Sequence, residues 1–193
     1  MPQKSFVRTI LEPLAVAVVL GLAARAAVHI YSIPSESMAP CLVVGDQIVV
    51  TRYFRGGPER GDVIVFESPA DRTQLIVKRV IAVPGELVDS RLGRVRVGGY
   101  TLAEPYVLRA AATGAIPAQF VPADSYFVLG DNRDDSSDSR AWGAVPRENV
   151  VGRARLVLWT SSSLGETASA SVASASPASR APRTRGRLFK WID

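Results

Sequence analysis

The sequence predicts a mostly β protein, with an N-terminal transmembrane helix, an antiparallel barrel-like β-domain and a disordered C-terminal tail. Three observations carry that prediction. Residues 10–32 are almost wholly apolar, broken by Glu12, Arg25 and His29, and some twenty apolar residues suffice to cross a bilayer as a helix. Residues 43–159 fall into short β-like runs punctuated by Gly, Pro and Asp, with no sustained helical period. That pattern fits antiparallel strands joined by tight turns and leaves no room for βαβ units. From residue 161 to about 185 the chain is rich in Ser, Ala, Pro and Arg and almost free of large apolar residues, a composition that cannot bury enough surface to order itself.

The totals set bounds. A chain of 193 residues holds one ordinary domain plus appendages. The net charge of +5 is modest and sits largely in the tail and amino terminus, so nucleic acid is not an expected partner. Cys41 is the only cysteine, which excludes an intramolecular disulfide and a cysteine-based zinc cluster. His29 is the only histidine, so any Ser-His-Asp triad would have to use it.

Residues 1–9 carry Lys4 and Arg8, and no basic residue closely follows the apolar run until Arg52. That asymmetry predicts a cytoplasmic amino terminus, an anchor over 10–32 and everything else outside. Arg25 is the costly position, at roughly 2.5–3.5 kcal/mol for a mid-helix arginine, although its long side chain can snorkel to the interface. Two other readings stay open: a cleavable signal peptide, with Ala24-Arg25-Ala26 as a small-x-small site, or a buried amphipathic helix. His29 reads as an interfacial polar residue. Strands are expected over 43–53, 62–67, 74–83, 94–98, 125–129 and 150–159, with turns at Gly56-Gly57-Pro58 and Pro84-Gly85. The tail, 161–193, ends in alternating basic and bulky residues, Arg185 to Asp193. That end fits either a membrane-surface contact or weak packing on the domain.

Three stretches carry candidate chemistry. Ile33–Leu42 reads Ile-Pro-Ser-Glu-Ser-Met-Ala-Pro-Cys-Leu. Pro34 and Pro40 fix their own φ and push the preceding residues toward extended backbone, so Ser35 and Ser37 sit on a stiff, irregular segment. A plain linker is the competing interpretation. A nucleophilic serine needs a base, and only three lysines exist, Lys4, Lys78 and Lys190. On a strand, Lys78 shares a face with Ile76 and Val80, whereas Arg79 shares the other with Val77 and Ile81. One of these cations then meets an apolar environment, unless the strand is an exposed edge. A buried lysine without a counter-ion loses its proton readily, as a general base near neutral pH must. The third stretch, Gly130 to Arg140, is dense in Asp, Asn, Ser and Arg. Its order of ligands does not match an EF-hand loop, and no metal is expected.

Four segments, Pro34-Ser-Glu-Ser-Met-Ala-Pro40, Arg60-Gly-Asp-Val-Ile-Val-Phe66, Val77-Lys-Arg-Val-Ile-Ala-Val-Pro-Gly85 and Gly130-Asp-Asn-Arg-Asp-Asp-Ser-Ser-Asp-Ser-Arg140, resemble the ordered boxes of the type I signal peptidases. The resemblance covers roughly 31–159. It implies a membrane-bound serine endopeptidase that removes signal peptides from exported preproteins after Ala-x-Ala-like sites. Ser37 resembles the nucleophile and Lys78 the general base. Ser35 resembles the oxyanion-hole donor, joined by the Ser37 N–H, and Ser136 the serine that orients the lysine. Asp138 and Arg140 resemble the structural pair beneath the site. Ile33, Met38, Leu42 and Val77 correspond to residues lining shallow apolar pockets. The substrate would add as an extended strand. No cofactor is implied; the partners are the signal peptides of preproteins and the lipid bilayer. The domain from 33 to 160 would stand on the outer face of the cell membrane. Cys41 stands where threonine is usual and Asp135 where asparagine is common. The stretch 90–120 is a reduced version of a larger insertion. A specialised peptidase with one substrate, such as a conjugation pilin, and an inactive preprotein-binding module remain alternatives. Ala168-Ser-Ala170 and Ala173-Ser-Ala175 are expected self-cleavage sites.

Overall fold

The computed structural model describes residues 6–54, 56–107, 114–160 and 188–192. A helix, α1 (Phe6–Ala27), opens the chain and contains Pro13. Residues 9–19 of α1 are all exposed although mostly apolar. Among the described residues no helix is long and apolar enough to cross a membrane. The expected span also differs at both ends: α1 begins before residue 10 and stops at Ala27, and residues 28–32 form strand β1 (Val28–Ser32). The reason is local. Val28 and Ile30 are β-branched and alternate with His29 and Tyr31, a strand pattern, and β1 pairs along its length with β2 (Asp46–Thr51), Val28 opposite Thr51 and Ser32 opposite Gln47. His29 lies in that ladder, its ring 6.3 Å from that of Tyr31.

The remaining strands are β3 (Val63–Glu67), β4 (Leu75–Ala82), β5 (Leu87–Arg91), β6 (Arg94–Val97), β7 (Tyr100–Thr101), β8 (Gln119–Phe120), β9 (Ser125–Leu129), β10 (Val145–Pro146), β11 (Val150–Thr160) and β12 (Leu188–Trp191). The main sheet runs β1-β2-β11-β3-β4-β9-β10, with β12 added beside β11. Every pairing is antiparallel. The fold is thus mostly β and antiparallel, but the sheet is an open, curled layer with β1 and β10 as its ends rather than a closed barrel. Bulges in β11, between Ala154 and Leu156 and between Val157 and Trp159, supply local bending.

The stretch expected as a short excursion forms a second sheet, β7-β6-β5-β8. Val88, Val95, Val97, Ile116 and Val121 of this layer pack against Ile81, Phe127 and Leu129 of the main sheet. A second core cluster, with Ile33, Met38, Leu42, Ile48, Val63 and Val157, lies under the serine-bearing segment. Fully burying one such side chain is worth about 1.5–3 kcal/mol, so this cluster holds the segment firmly. At the end of the tail Leu188–Trp191 pairs with β11 and Ile192 is buried in the same cluster, so the last described residues pack on the domain. The paired small-x-small sites at 168–175 lie outside the described residues.

Candidate active site

Ser37 opens a tight turn that the flanking chain fixes in place. Ile33 donates its N–H to Asp46 O and accepts from Gly45 N–H, both at 2.9 Å, which extends the sheet to the entrance of the segment. Beyond it, Ala39 N–H donates to Glu36 O and Leu42 N–H to Met38 O, again at 2.9 Å. The turn buries Met38 and Leu42 completely and leaves Ser37 at 8% exposure. Asn132 donates its N–H to Ser37 O at 3.1 Å and its side-chain amide to Glu36 O at 3.3 Å. The acidic loop is therefore stitched to the serine turn from the far side. The Ser37 N–H meets no acceptor among the described residues.

Lys78 reaches the serine from β4, where it stands opposite Ile64 of β3. Its Nζ donates to Ser37 Oγ at 2.5 Å, although 41 residues of chain separate them. Ser35 Oγ lies 3.2 Å from Ser37 Oγ. Lys78 is 3% exposed, and among the described residues no carboxylate lies within ion-pair distance of it. Burial lowers its pKa from 10.5 to about 8, against the opposing pull of Asp138 and Asp131 and with some help from Arg140. Desolvation dominates because a charged ammonium in an apolar wall loses its hydration.

The nearby acids are engaged elsewhere. Asp138 receives a fork from Arg140, Nε to Oδ1 at 2.7 Å and Nη2 to Oδ2 at 2.9 Å. It also accepts from Gly130 N–H at 3.0 Å and from Ser136 Oγ–H at 2.8 Å, and it caps helix α2 (Ser139–Trp142) through Arg140 N–H. Asp131 takes a second fork from Arg79. Asp131 outweighs burial and holds Arg79 above its ordinary pKa. The two adjacent cations of β4 are thus both buried, one fully paired and one not.

Of the residues singled out from the sequence, Ser35, Ser37 and Lys78 meet in one place. Asp138 and Arg140 pair behind them. Ser136 borders Gly130 and the Ser37 carbonyl, but its hydroxyl is hydrogen-bonded to Asp138, and no hydrogen bond joins it to Lys78 among the described residues. Ile33, Met38 and Leu42 lie in the core cluster with Val77 packed against it, sealed from solvent except for Val77. Cys41 packs against the same cluster, and burial raises its thiol pKa. Sequence reasoning missed Asn132, Asp131 and Gly130 as parts of this arrangement. All three lie within the Gly130–Arg140 box, so the signal was present, but their roles depend on which strand the loop meets.

Comparison with known proteins agrees with this architecture. The family described as "Signal peptidase, peptidase S26" matches residues 5–159. The chain is 41% identical over 166 residues to signal peptidase I of Leptolyngbya laminosa, covering 81% of each. It is 38% identical over 174 residues to the probable signal peptidase I-1 of Synechocystis sp., covering 85% of this chain and 88% of that one. It is 36% identical over 148 residues to the chloroplastic thylakoidal processing peptidase 1 of Arabidopsis thaliana, covering 70% of this chain but 43% of that longer protein. The fold and these likenesses define a serine peptidase, a hydrolase. The chain belongs to the signal peptidase family, peptidase S26.

Proposed function

We propose that this protein removes signal peptides from exported preproteins after Ala-x-Ala-like sites, using Ser37 as nucleophile and Lys78 as general base. The observation that carries the proposal is the buried 2.5 Å contact between Lys78 Nζ and Ser37 Oγ. With its pKa lowered to about 8, Lys78 is partly neutral at physiological pH and mostly so about one pH unit above its pKa. Neutral Nζ takes the Ser37 hydroxyl proton as Oγ attacks the scissile carbonyl carbon. The resulting ammonium then protonates the departing amine of the mature protein, leaving an acyl ester on Ser37. Water, deprotonated by Lys78, hydrolyses that ester and returns the serine. Ser35 and the unengaged Ser37 N–H serve as oxyanion donors, each worth roughly 2.7–4 kcal/mol at the transition state. Ser136 orients the lysine amine once substrate rearranges the site, while Asp138 and Arg140 hold the loop that carries it. Ile33, Met38, Leu42 and Val77 form the floors of shallow pockets. Val77 alone of the four keeps solvent exposure, so it is the one that a small substrate side chain meets first.

The exposed, mostly apolar stretch of residues 9–19, broken by Glu12, supports attachment of α1 to a lipid bilayer, since exposed apolar side chains favour an apolar surround. The catalytic domain would then face outward, where exported preproteins emerge. Cleavage of an Ala-x-Ala preprotein in detergent by wild type, Ser37→Ala and Lys78→Ala tests the proposal. Wild type should cut after the second alanine, and both variants should stay folded and inert. Normal cleavage by Lys78→Ala would remove the lysine from its assigned role. Recovery of the protein in the soluble fraction after cell lysis would remove the bilayer.

A further inference from the structure

We infer that the C-terminal strand is a strap for the nucleophile turn, with Ile192 a positioning residue for Ser37; this rests on the peptidase reading above. The strand fills a specific gap. β11 pairs with β2 along one edge, from Arg153 to Thr160. On its other edge β3 pairs only as far as Arg153. β12 takes over beyond that point, with Leu156 opposite Trp191, Val157 opposite Lys190 and Trp159 opposite Leu188. Ile192 continues the ladder by donating its N–H to Arg155 O at 3.1 Å. An edge that would otherwise present unpaired backbone groups is thereby closed.

The side chains then alternate. Val157 is wholly buried, and Ile192, two residues beyond its partner Lys190, turns to the same core, whereas the Lys190 side chain itself stays exposed. Ile192 is 5% exposed and belongs to the cluster that seats Met38 and Leu42, the two inward anchors of the Ser37 turn. Trp191, on the opposite face, is 69% exposed. The strap thus shares one packed cluster with the anchors of the nucleophile segment. Interiors are close-packed, so deleting part of Ile192 relaxes its neighbours. A small displacement of Ser37 Oγ from Lys78 Nζ is expensive for catalysis even when folding survives.

The test uses the full chain in detergent, with Ile192→Ala, Ile192→Val and Trp191→Ala. Cleavage kinetics on an Ala-x-Ala preprotein are measured at pH 9, together with hydrogen exchange of the Leu42 amide without substrate. Ile192→Ala should lower kcat about tenfold or more, leave KM within about twofold and speed Leu42 exchange. Ile192→Val should fall between it and wild type, and Trp191→Ala should change neither readout. A folded Ile192→Ala enzyme with wild-type kcat, or with Leu42 as protected as in wild type, overturns the inference. If Ile192→Ala does not fold, Ile192→Val decides: a lower kcat at unchanged KM supports the strap, and an unchanged kcat overturns it. Failure of wild type itself to cut would sink the peptidase reading alone, and Leu42 exchange would then decide the strap.

Discussion

Arg79 and Asp131 form a buried two-pronged ion pair one residue along the strand from Lys78. Arg79 Nε donates to Asp131 Oδ1 at 2.9 Å and Nη2 to Oδ2 at 2.8 Å, with side-chain exposures of 1% and 0%. The Tyr106 ring lies 4.1 Å from the guanidinium. One carboxylate is thereby committed to Arg79, and among the described residues no acid pairs with the lysine beside it. Asp131→Asn should therefore destabilise the fold by about 3–5 kcal/mol, because it removes the counter-charge from a buried guanidinium. Replacing both partners with apolar residues should recover much of that loss. Urea unfolding of the single and double variants measures both, and an undisturbed single variant would mean that Arg79 finds its compensation elsewhere.

Lys78 should impose two separate pH dependences. As a base it works only when neutral, so kcat/KM should rise about tenfold per pH unit below about 8 and level off above it. Stability should move in the same direction but over a different window. The folded pKa of about 8 lies below the ordinary 10.5, so between those values the unfolded chain binds more protons and stability rises with pH. Below about 8 the folded protein bears the full cost of a buried ammonium. Lys78→Met should thus be more stable than wild type by about 1–3 kcal/mol at pH 6.5, with the advantage shrinking toward pH 10. Urea midpoints at the two pH values would expose a lysine that is in truth well solvated, since the variant would then gain nothing.

Much of this was legible in the sequence because local patterns and global fold agree there. β9 spans the short apolar run 125–129 that flanking turn residues mark out, and β3 and β4 fall within a residue or so of their expected ends. What failed did so for physical reasons. Val28–Ser32 directly continues the apolar run, so its short alternation of Val28 and Ile30 with His29 and Tyr31 is masked by the helix before it, and pairing with β2 completes the strand. Leu188–Trp191 is too short to fold alone, and its order comes from the open edge of β11. β7 and β8 have two residues each, below any periodicity. At the site, burial of one of the two cations Lys78 and Arg79 was foreseeable from the apolar neighbours on each face, but burial of both was not. That depends on Asp131, 52 residues away.

Gly130 should tolerate no side chain. A Cβ there would lie 2.2 Å from Ser136 Oγ, 2.6 Å from Ser136 Cβ and 2.5 Å from the Ser37 carbonyl oxygen. The last contact is with backbone, which cannot swing aside. Gly130→Ala should push the acidic loop off the nucleophile turn, stretching the Asn132 N–H bond to Ser37 O. The expected result is a loss of about 1–3 kcal/mol in stability, the usual cost of overpacking, with a disproportionate fall in kcat. Thermal unfolding and steady-state cleavage on the same sample would separate the two. A variant with wild-type kcat would mean that the loop and the turn are less tightly coupled than their spacing requires.

Ser35 should behave as a donor to the transition state and as little else. Its hydroxyl lies 3.2 Å from Ser37 Oγ, yet the residue is exposed, so its removal should scarcely alter folding. Ser35→Ala should lower kcat by roughly 10²–10³ with KM nearly unchanged, the signature of a donor that matters only when the carbonyl oxygen carries charge. Ser35→Thr keeps the hydroxyl and should retain far more activity. Ser37→Ala, by contrast, should leave no acyl-enzyme at all. The comparison is made by single-turnover cleavage of an Ala-x-Ala preprotein, with unfolding curves as the control. If Ser35→Ala raised KM and spared kcat, the hydroxyl would be binding substrate in its ground state, and the oxyanion would have to rely on the Ser37 N–H and on groups contributed by the substrate strand.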